Sequence, residues 1–302
     1  MNPLITWEDM AASPEWEIPF LINPYIPRGG IILLYGKTRV GKSPLTWESA
    51  RCIGSGEPFF GLPTAPGRVL YLELDTPRLL VQPRVKKLPP APNVWFQFMG
   101  PCNVSKLDSP MIPILKGFAE GVKPDLVVVN TLRGIYQGDE KDGVQPIKVY
   151  ANLQYLFPNA AILLVHHDKK SSGNPDDASD PDEAFSGHMA WLNHCQVGLH
   201  IVKHGPTPGL IRLVHSKSQV SRPMKDFVLQ LHKDGTNLAE FSSMRLKQIL
   251  EVYQLLPTTT SKTERVRLTA VQVGLKERQV WTYLSRLPDA SLPSEIELQP
   301  GD

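Results

Sequence analysis

Four short apolar runs organise the first half of the chain: IILLY (31–35), VLYLEL (69–74), LVVVN (126–130) and AILLVHH (161–167). Each is bounded by Gly, Pro or charge, and none alternates strictly with polar residues. A run that is apolar at nearly every position suits a strand covered on both faces, as in a parallel sheet. Between the runs, SPLTWESARCIGSG (43–56) brings Leu45, Ala50 and Ile53 to one side at helical spacing, and QPIKVYANLQYLF (145–157) has a similar period. Strands alternating with helices predict a doubly wound α/β domain. After residue 195 the pattern changes to VGLHIVK, GLIRLVHSKSQ and FVLQLHK, joined by Gly/Pro turns. These runs predict antiparallel strands at the edge of the same sheet.

Near residue 240 the pattern changes again. SSMRLKQILEVYQLL (242–256) reads as a helix capped by Ser242 or Ser243. Beyond the break PTTTSK, two short helices are predicted over 264–272 and 276–287, with Gly274 in the turn between them. Helix, glycine-containing turn and second helix form the helix-turn-helix pattern. The domain reading is therefore 1–240 and 241–302, the second a helix-turn-helix or winged-helix module.

Composition adds limits. The 302 residues are 41% hydrophobic and 21% charged, with a net charge of +2, which describes a soluble globular chain rather than a polycation. No stretch approaches the roughly 18 apolar residues that span a bilayer, and MNPLITWEDM does not read as a secretory signal. Three scattered cysteines, Cys52, Cys102 and Cys195, fit buried thiols in a reducing cytoplasm. The charge is uneven: residues 241–287 hold eight Lys or Arg against three acids. That excess suits attraction to phosphate, and equally a solvated basic face.

The strongest chemical signal is GKTRVGKS (36–43), which fits G-x-x-x-x-G-K-[ST] in full and lies between a predicted strand and a predicted helix. The loop Gly36, Lys37, Thr38, Arg39, Val40, Gly41, Lys42, Ser43, with Pro44 just after it, would turn successive N–H groups towards phosphate. Lys42 would reach the β- and γ-phosphates of ATP, and the Ser43 hydroxyl would ligate Mg²⁺. Pro44 is tolerated because a first helical turn has no intrahelical N–H bond to lose.

With that loop and strand order placed, the chain resembles the RecA-like core of hexameric helicases, and within it the plasmid RepA-type helicase ATPase, related to DnaB and RecA. The resemblance runs over about residues 17–222 and rests on PRGGIILLYGKTRVGKS, GRVLYLELDTP, DLVVVNTLRGIYQGDEKD, ILLVHHDKK, SGHMAWLNHCQVGLHIVK and HSKSQ. It implies an ATP hydrolase with ATP and Mg²⁺ as cofactors, acting as a helicase or translocase in the replication of a plasmid, phage or other mobile element. In its terms the acid that activates the attacking water falls on Asp75, with Glu73 two residues earlier on the same face; the plain alternative for Asp75 is a helix cap before Pro77. The γ-phosphate sensor falls on His166 or His167, and the cation lent to a neighbouring subunit's ATP on Lys217, with Arg222 in reserve. A homo-oligomer, expected as a hexameric ring, would follow, with single-stranded DNA met through the core and duplex DNA through the C-terminal module.

Two departures qualify this picture. The metal-side Asp falls on Asn130, which can accept a hydrogen bond from a metal-bound water but forfeits ~1 kcal/mol or somewhat more of charge assistance, equivalent to about tenfold in rate. Asn130→Asp is therefore expected to raise hydrolysis. The second departure is SSGNPDDASDPDEAFSG (171–187), a predicted mobile loop whose five acids would face DNA and repel it. Arg133, Lys169 and Lys170 are left to make the core's DNA contact, and Lys276, Arg278 and Gln279 that of the module. Both departures favour an alternative function, a nucleotide-gated DNA-binding loader or regulator with weak hydrolysis. His188, His194, Cys195, His200 and His204 match no usual zinc spacing.

Overall fold

In the computed structural model the apolar runs lie side by side. It describes residues 5–12, 18–139, 142–167, 189–205, 208–222, 226–233, 235, 238–257 and 259–284. Lys169, Lys170, His188, the acidic stretch 171–187 and the tail after residue 284 lie outside the described residues. Internal contacts divide the chain into two units, one of residues 1–227 and 231–238, the other of 228–230 and 239–302.

The first unit opens with helix α1 (Trp7–Ala12) and a small hairpin of β1 (Phe20–Ile22) and β2 (Ile26–Pro27). The main strands follow: β3 (Ile31–Gly36), β4 (Val69–Glu73), β5 (Val94–Phe98), β6 (Leu126–Asn130), β7 (Ala161–His167), β8 (Val197–Lys203) and β9 (Leu210–Ser218). Across the sheet they stand in the order β9-β8-β3-β7-β6-β4-β5. Helices α2 (Lys42–Ser55), α3 (Arg78–Val85), α4 (Met111–Val122), α5 (Val144–Leu156) and the short α6 (Ala190–Asn193) connect them, with a 3-10 turn at Leu132–Ile135. This is the mostly parallel α/β sheet of a RecA-like core.

Continuous burial explains the runs. Every residue of β3, β4 and β6 is buried, and all of β7 except His167. One apolar cluster takes in Leu33 and Tyr35 of β3, Leu70 and Leu72 of β4, Val127 and Val129 of β6 and Leu164 of β7, together with Tyr150 and Leu153 of α5. On α2, Leu45, Ala50 and Ile53 are all buried as the sequence pattern requires. Tyr71 of β4 and Thr46 of α2 share a buried hydrogen bond of 2.7 Å, which ties the helix behind the phosphate-loop motif to the sheet.

One expectation needs correction. VGLHIVK forms β8, but β8 runs parallel to β3, and only its pairing with β9 is antiparallel. The passage 168–196 is long enough to return the chain to the starting end of the sheet, which a parallel partner requires. Residues 197–201 are accordingly buried at every position rather than alternately. At the opposite margin β5, with the sequence VWFQF, pairs among the described residues with β4 alone, and Trp95 is 41% exposed.

The chain passes between the units through the short strands β10 (Phe227–Leu231) and β11 (Leu238–Glu240). In the second unit α7 (Phe241–Leu255), α8 (Lys262–Val273) and α9 (Glu277–Leu284) pack around Ile249, Tyr253, Val266, Ala270, Val273, Val280 and Leu284. The Ser261 hydroxyl accepts the Glu264 N–H at the start of α8, and Gly274 ends that helix at φ 67°, a left-handed conformation that glycine enters without steric cost. Val280 and Leu284 face this small core; Leu287 is outside the described residues. Arg265 departs from the basic-face reading. It is 4% exposed, its Nη2 donates to the Tyr253 carbonyl at 2.8 Å, and its guanidinium lies 4.0 Å from the centre of the Tyr253 ring. It is part of the core of the unit, not of its solvated charge. Among the described residues no helix is long and apolar enough to cross a membrane.

Arg265→Ala should loosen the second unit, because it removes a charge-assisted bond and the packing of a buried stem, together ~2 kcal/mol or more. Amide hydrogen exchange measured by mass spectrometry should quicken by about tenfold or more in peptides from α8 and α9, while peptides from β6 and β7 keep their protection. Unchanged exchange in α8 would show that the buried guanidinium is not structural.

Candidate functional site

The chain leaves β3 at Gly36 and enters α2 at Lys42, so the loop between them sits at the carboxyl end of a central parallel strand, where α/β sheets hold ligands. Two glycines are sterically required. A Cβ on Gly36 would come within 2.6 Å of the Ile201 carbonyl oxygen. Gly41 has φ 113°, and a Cβ there would press on Ile211 at 3.2 Å. Lys42 curls over the loop, its Nζ donating to the carbonyls of Gly36 at 2.6 Å and Lys37 at 2.9 Å, with His167 Nδ1 at 3.4 Å. The ammonium is thus held at the mouth of the loop where convergent N–H groups would meet a phosphate.

A cavity of about 360 Å³ opens over this loop. Its walls come from separate elements: Thr38, Arg39, Gly41, Lys42, Ser43 and Pro44 from the loop and α2, Asp75 from the end of β4, Arg84 from α3, Asn130 and Thr131 from the end of β6, His167 from β7, and Leu231 with Gly235. Three cations, Arg39, Lys42 and Arg84, face one carboxylate, Asp75, which suits a polyanion. A larger hollow of about 590 Å³, walled by Arg68, Lys116, Lys123 and Tyr155 among others, lies at the amino ends of β4, β6 and β7. It lacks a loop of convergent N–H groups, so the smaller cavity is the chemical candidate.

Behind the cavity-lining Asn130, Glu73 stands directly opposite it in the β4–β6 register, the two being 3% and 1% exposed. Asn130 Nδ2 donates to Glu73 Oε2 at 2.8 Å, and the N–H groups of Thr76 and Asp75 donate to Oε1 at 2.9 and 3.3 Å. Burial pushes the Glu73 carboxyl above its ordinary range, and these three donors pull it back.

The residues singled out in sequence separate into groups. The loop residues Thr38, Arg39, Gly41, Lys42, Ser43 and Pro44 share the cavity with Asp75, Asn130 and His167. Gly36, Lys37 and Val40 complete the loop path outside the lining set. Glu73 is not on the wall with Asp75 but buried behind it. His166 is 2% exposed and does not line the cavity, since neighbouring residues of a strand point to opposite faces. Lys217 donates to the carbonyls of Leu192 at 2.8 Å and Asn193 at 2.6 Å, closing the end of α6. Arg222 and Arg133 are exposed away from the cavity; the Arg133 guanidinium lies 5.0 Å from the centre of the Tyr136 ring. Lys276, Arg278 and Gln279 are exposed at the start of α9, where Gln279 Oε1 accepts the Lys276 N–H at 2.9 Å. His200 stacks on Tyr35 at 4.5 Å, and Cys195 is buried with its thiol against the Leu192 carbonyl. Sequence reasoning missed Arg84 and Thr131. Thr131 follows the visible Asn130 directly, whereas Arg84 sits on a helix that contains Pro83 and so gave little helical signal.

The fold and this geometry can be set beside known proteins. No curated protein matches the sequence. Among solved structures, an ATPase domain superimposes with a TM-score of 0.54 at 8% identity, over 70% of this chain and 85% of that one. The KaiC-like protein PH0186 from the hyperthermophilic archaeon Pyrococcus horikoshii OT3 superimposes with a TM-score of 0.52 at 10% identity, over 73% of this chain and 93% of that one. At such identities the likeness is one of fold, that of a RecA-like P-loop core. The sequence profile of the AAA domain family AAA_25 matches residues 3–173, a span that includes the loop, Asp75, Asn130 and His167. The chain therefore belongs to the AAA domain family.

Proposed function

We propose that the cavity binds ATP with Mg²⁺ and hydrolyses it, and that the protein is a DNA helicase or translocase of the RepA type. The observation that carries the nucleotide reading is the meeting of Lys42, Ser43, Asp75 and Asn130 in one cavity, at the carboxyl ends of parallel strands. The Ser43 hydroxyl, the Asn130 side-chain carbonyl and the Asp75 carboxylate are hard oxygen donors, the kind Mg²⁺ takes directly or through water. Ser43 and Asn130 would hold the ion, which would neutralise phosphate charge when bound. Lys42, Arg39 and Arg84 would position the phosphates. Asp75, exposed on the wall, would orient and deprotonate the attacking water; it is one methylene shorter than the Glu of the resembled family and would act from closer range or through a second water. His167, beside Lys42, would sense the terminal phosphate.

Action on DNA rests on the sequence resemblance and on the exposed cations of the helix-turn-helix unit. Assembly into a ring rests on the resemblance too. Exposed apolar side chains along α5, with Val144 and Ile147 each 50% and Tyr155 64% exposed, favour a further contact surface. Because Lys217 is engaged with α6, Arg222 is the better candidate to reach a neighbour's nucleotide: its guanidinium meets no partner among the described residues. The second reading, a nucleotide-gated loader or regulator, is favoured by the neutral Asn130. Single-stranded-DNA-stimulated ATPase measured beside duplex unwinding separates the two: stimulation with unwinding supports the helicase, and tight binding with neither supports the loader.

Lys42→Ala should abolish ATP binding in a fluorescent-nucleotide titration, and retained affinity would end the nucleotide reading. Arg222→Ala should lower hydrolysis about tenfold or more with nucleotide affinity within about threefold. Mixing Arg222→Ala with Lys42→Ala protein should restore part of the activity at hybrid interfaces, and no recovery would exclude a role across subunits. On duplex DNA, Lys276→Ala and Arg278→Ala should each flatten the slope of log affinity against log salt by about 0.9, one phosphate contact apiece. An unchanged slope would make α9 a docking helix rather than a DNA contact.

A further inference from the structure

The Glu73–Asn130 pair poses a chemical question. A carboxylate buried to 1% exposure is bonded by an amide and two backbone N–H groups, and no cationic side chain meets it among the described residues. An uncompensated buried charge is costly, so such a group is kept where it has a task. It lies one strand from the position where the resembled family carries its metal-side acid.

A carboxylate only accepts hydrogen bonds, whereas an amide presents a donor end and an acceptor end. Glu73 therefore decides which end of Asn130 it meets. Nδ2 is turned inward onto Oε2 at 2.8 Å, and the carbonyl end, Oδ1, is left for the cavity that Asn130 helps to wall. Strand pairing leaves little freedom to escape this arrangement. Glu73 and Asn130 are register partners, and the Leu74 N–H is bonded to the Asn130 main-chain carbonyl at 2.7 Å.

We propose that Glu73 is a positioning residue, which locks the Asn130 amide so that a neutral oxygen faces the phosphate loop at the station of the family's acid. The inference rests on reading the cavity as a Mg²⁺–ATP site. In this chain the acid has moved from β6 to β4, and the amide has taken the exposed end of the pair. The lock also reverses the expectation for Asn130→Asp. That change alone sets two carboxylates against each other across the present 2.8 Å bond, which repel and displace the new acid. Combined with Glu73→Gln it makes a complementary pair again, with the acid on β6 and an amide donor behind it. Glu73→Gln alone leaves two amides that can bond with either end inward, so the orientation of Asn130 is no longer dictated.

The test is the full-length protein as wild type, Glu73→Gln, Asn130→Asp and the double variant. Each is melted without nucleotide, assayed for ATP hydrolysis, and compared in the side-chain amide NMR spectrum after selective asparagine labelling. Glu73→Gln should lower kcat about tenfold with KM within about threefold, and should shift the Asn130 side-chain amide resonances. Asn130→Asp should lower both Tm and kcat. The double variant should recover the wild-type Tm to within a few degrees and reach a kcat at or above wild type. A purely structural role for Glu73 does not give that recovery of kcat. A double variant with kcat no better than the worse single variant overturns the proposal, as does a Glu73→Gln protein with unchanged kcat and unchanged Asn130 resonances. A wild type that binds no ATP in calorimetry overturns the nucleotide reading itself, and the use inferred for the pair with it. That failure is distinguished from failure of the pairing by the melting series, which needs no nucleotide.

Discussion

Register between buried parallel strands is the constraint from which the rest of the site follows. β3 lies between β7 and β8, and β4 lies between β6 and β5, each pairing parallel along its length. Because both faces of these strands are covered, a slip of one residue would carry every side chain to the wrong side. The same register sets Gly36 level with His167 and Ile201, and Glu73 level with Asn130. The phosphate-loop glycine is tight because a neighbouring strand's carbonyl passes beside it, and the acid–amide pair exists because two strands end together. Functional groups here are placed by packing of aliphatic side chains several residues away.

Much of this was readable beforehand, and for a physical reason. A strand apolar at nearly every position suits only a covered sheet, so the bounds of LVVVN and AILLVHH in the sequence coincide with those of β6 and β7. The phosphate loop was visible because its backbone path demands particular residues at particular spacings. What was hidden lacked such a demand. β5 is covered unevenly, and helices α3 and α4 carry Pro83 and Pro113 in their first or last turns, which blurs the helical period. The side a polar group takes at a strand end was hidden as well. The resemblance puts the water-activating acid on Asp75 and Glu73 on the same face, yet Glu73 is sealed behind the wall on which Asp75 stands. Lys217 reads as a free cation until the end of α6 is seen beside it.

The second unit shows how a charge count overstates a surface. Eight cations lie within 241–287, but Arg265 serves as a core residue with its charge spent on a carbonyl and a ring. Arg267 is paired with Glu264 on the next helical turn, at 2.7 Å. Gln279, named for its place at the head of α9, turns back to cap that helix. Lys276, just before α9, and Arg278 in its first turn are exposed together at the amino end of that helix.

The uncovered margin at β5 has a consequence for how the chain survives in concentrated solution. VWFQF carries no charge, and among the described residues no strand bonds one row of its peptide groups, the combination that invites another chain to add itself. The flanking sequence works against this. Lys86 and Lys87 stand upstream, followed by Pro89, Pro90 and Pro92, and Pro101 comes just downstream. Prolines cannot donate to a growing ladder, and lysines repel their own copies, so an incoming strand finds a short β5 of five residues with prolines close beyond both its ends. The proline-rich run before β5 thus acts as a gatekeeper, keeping an aromatic border from becoming a seed for aggregation.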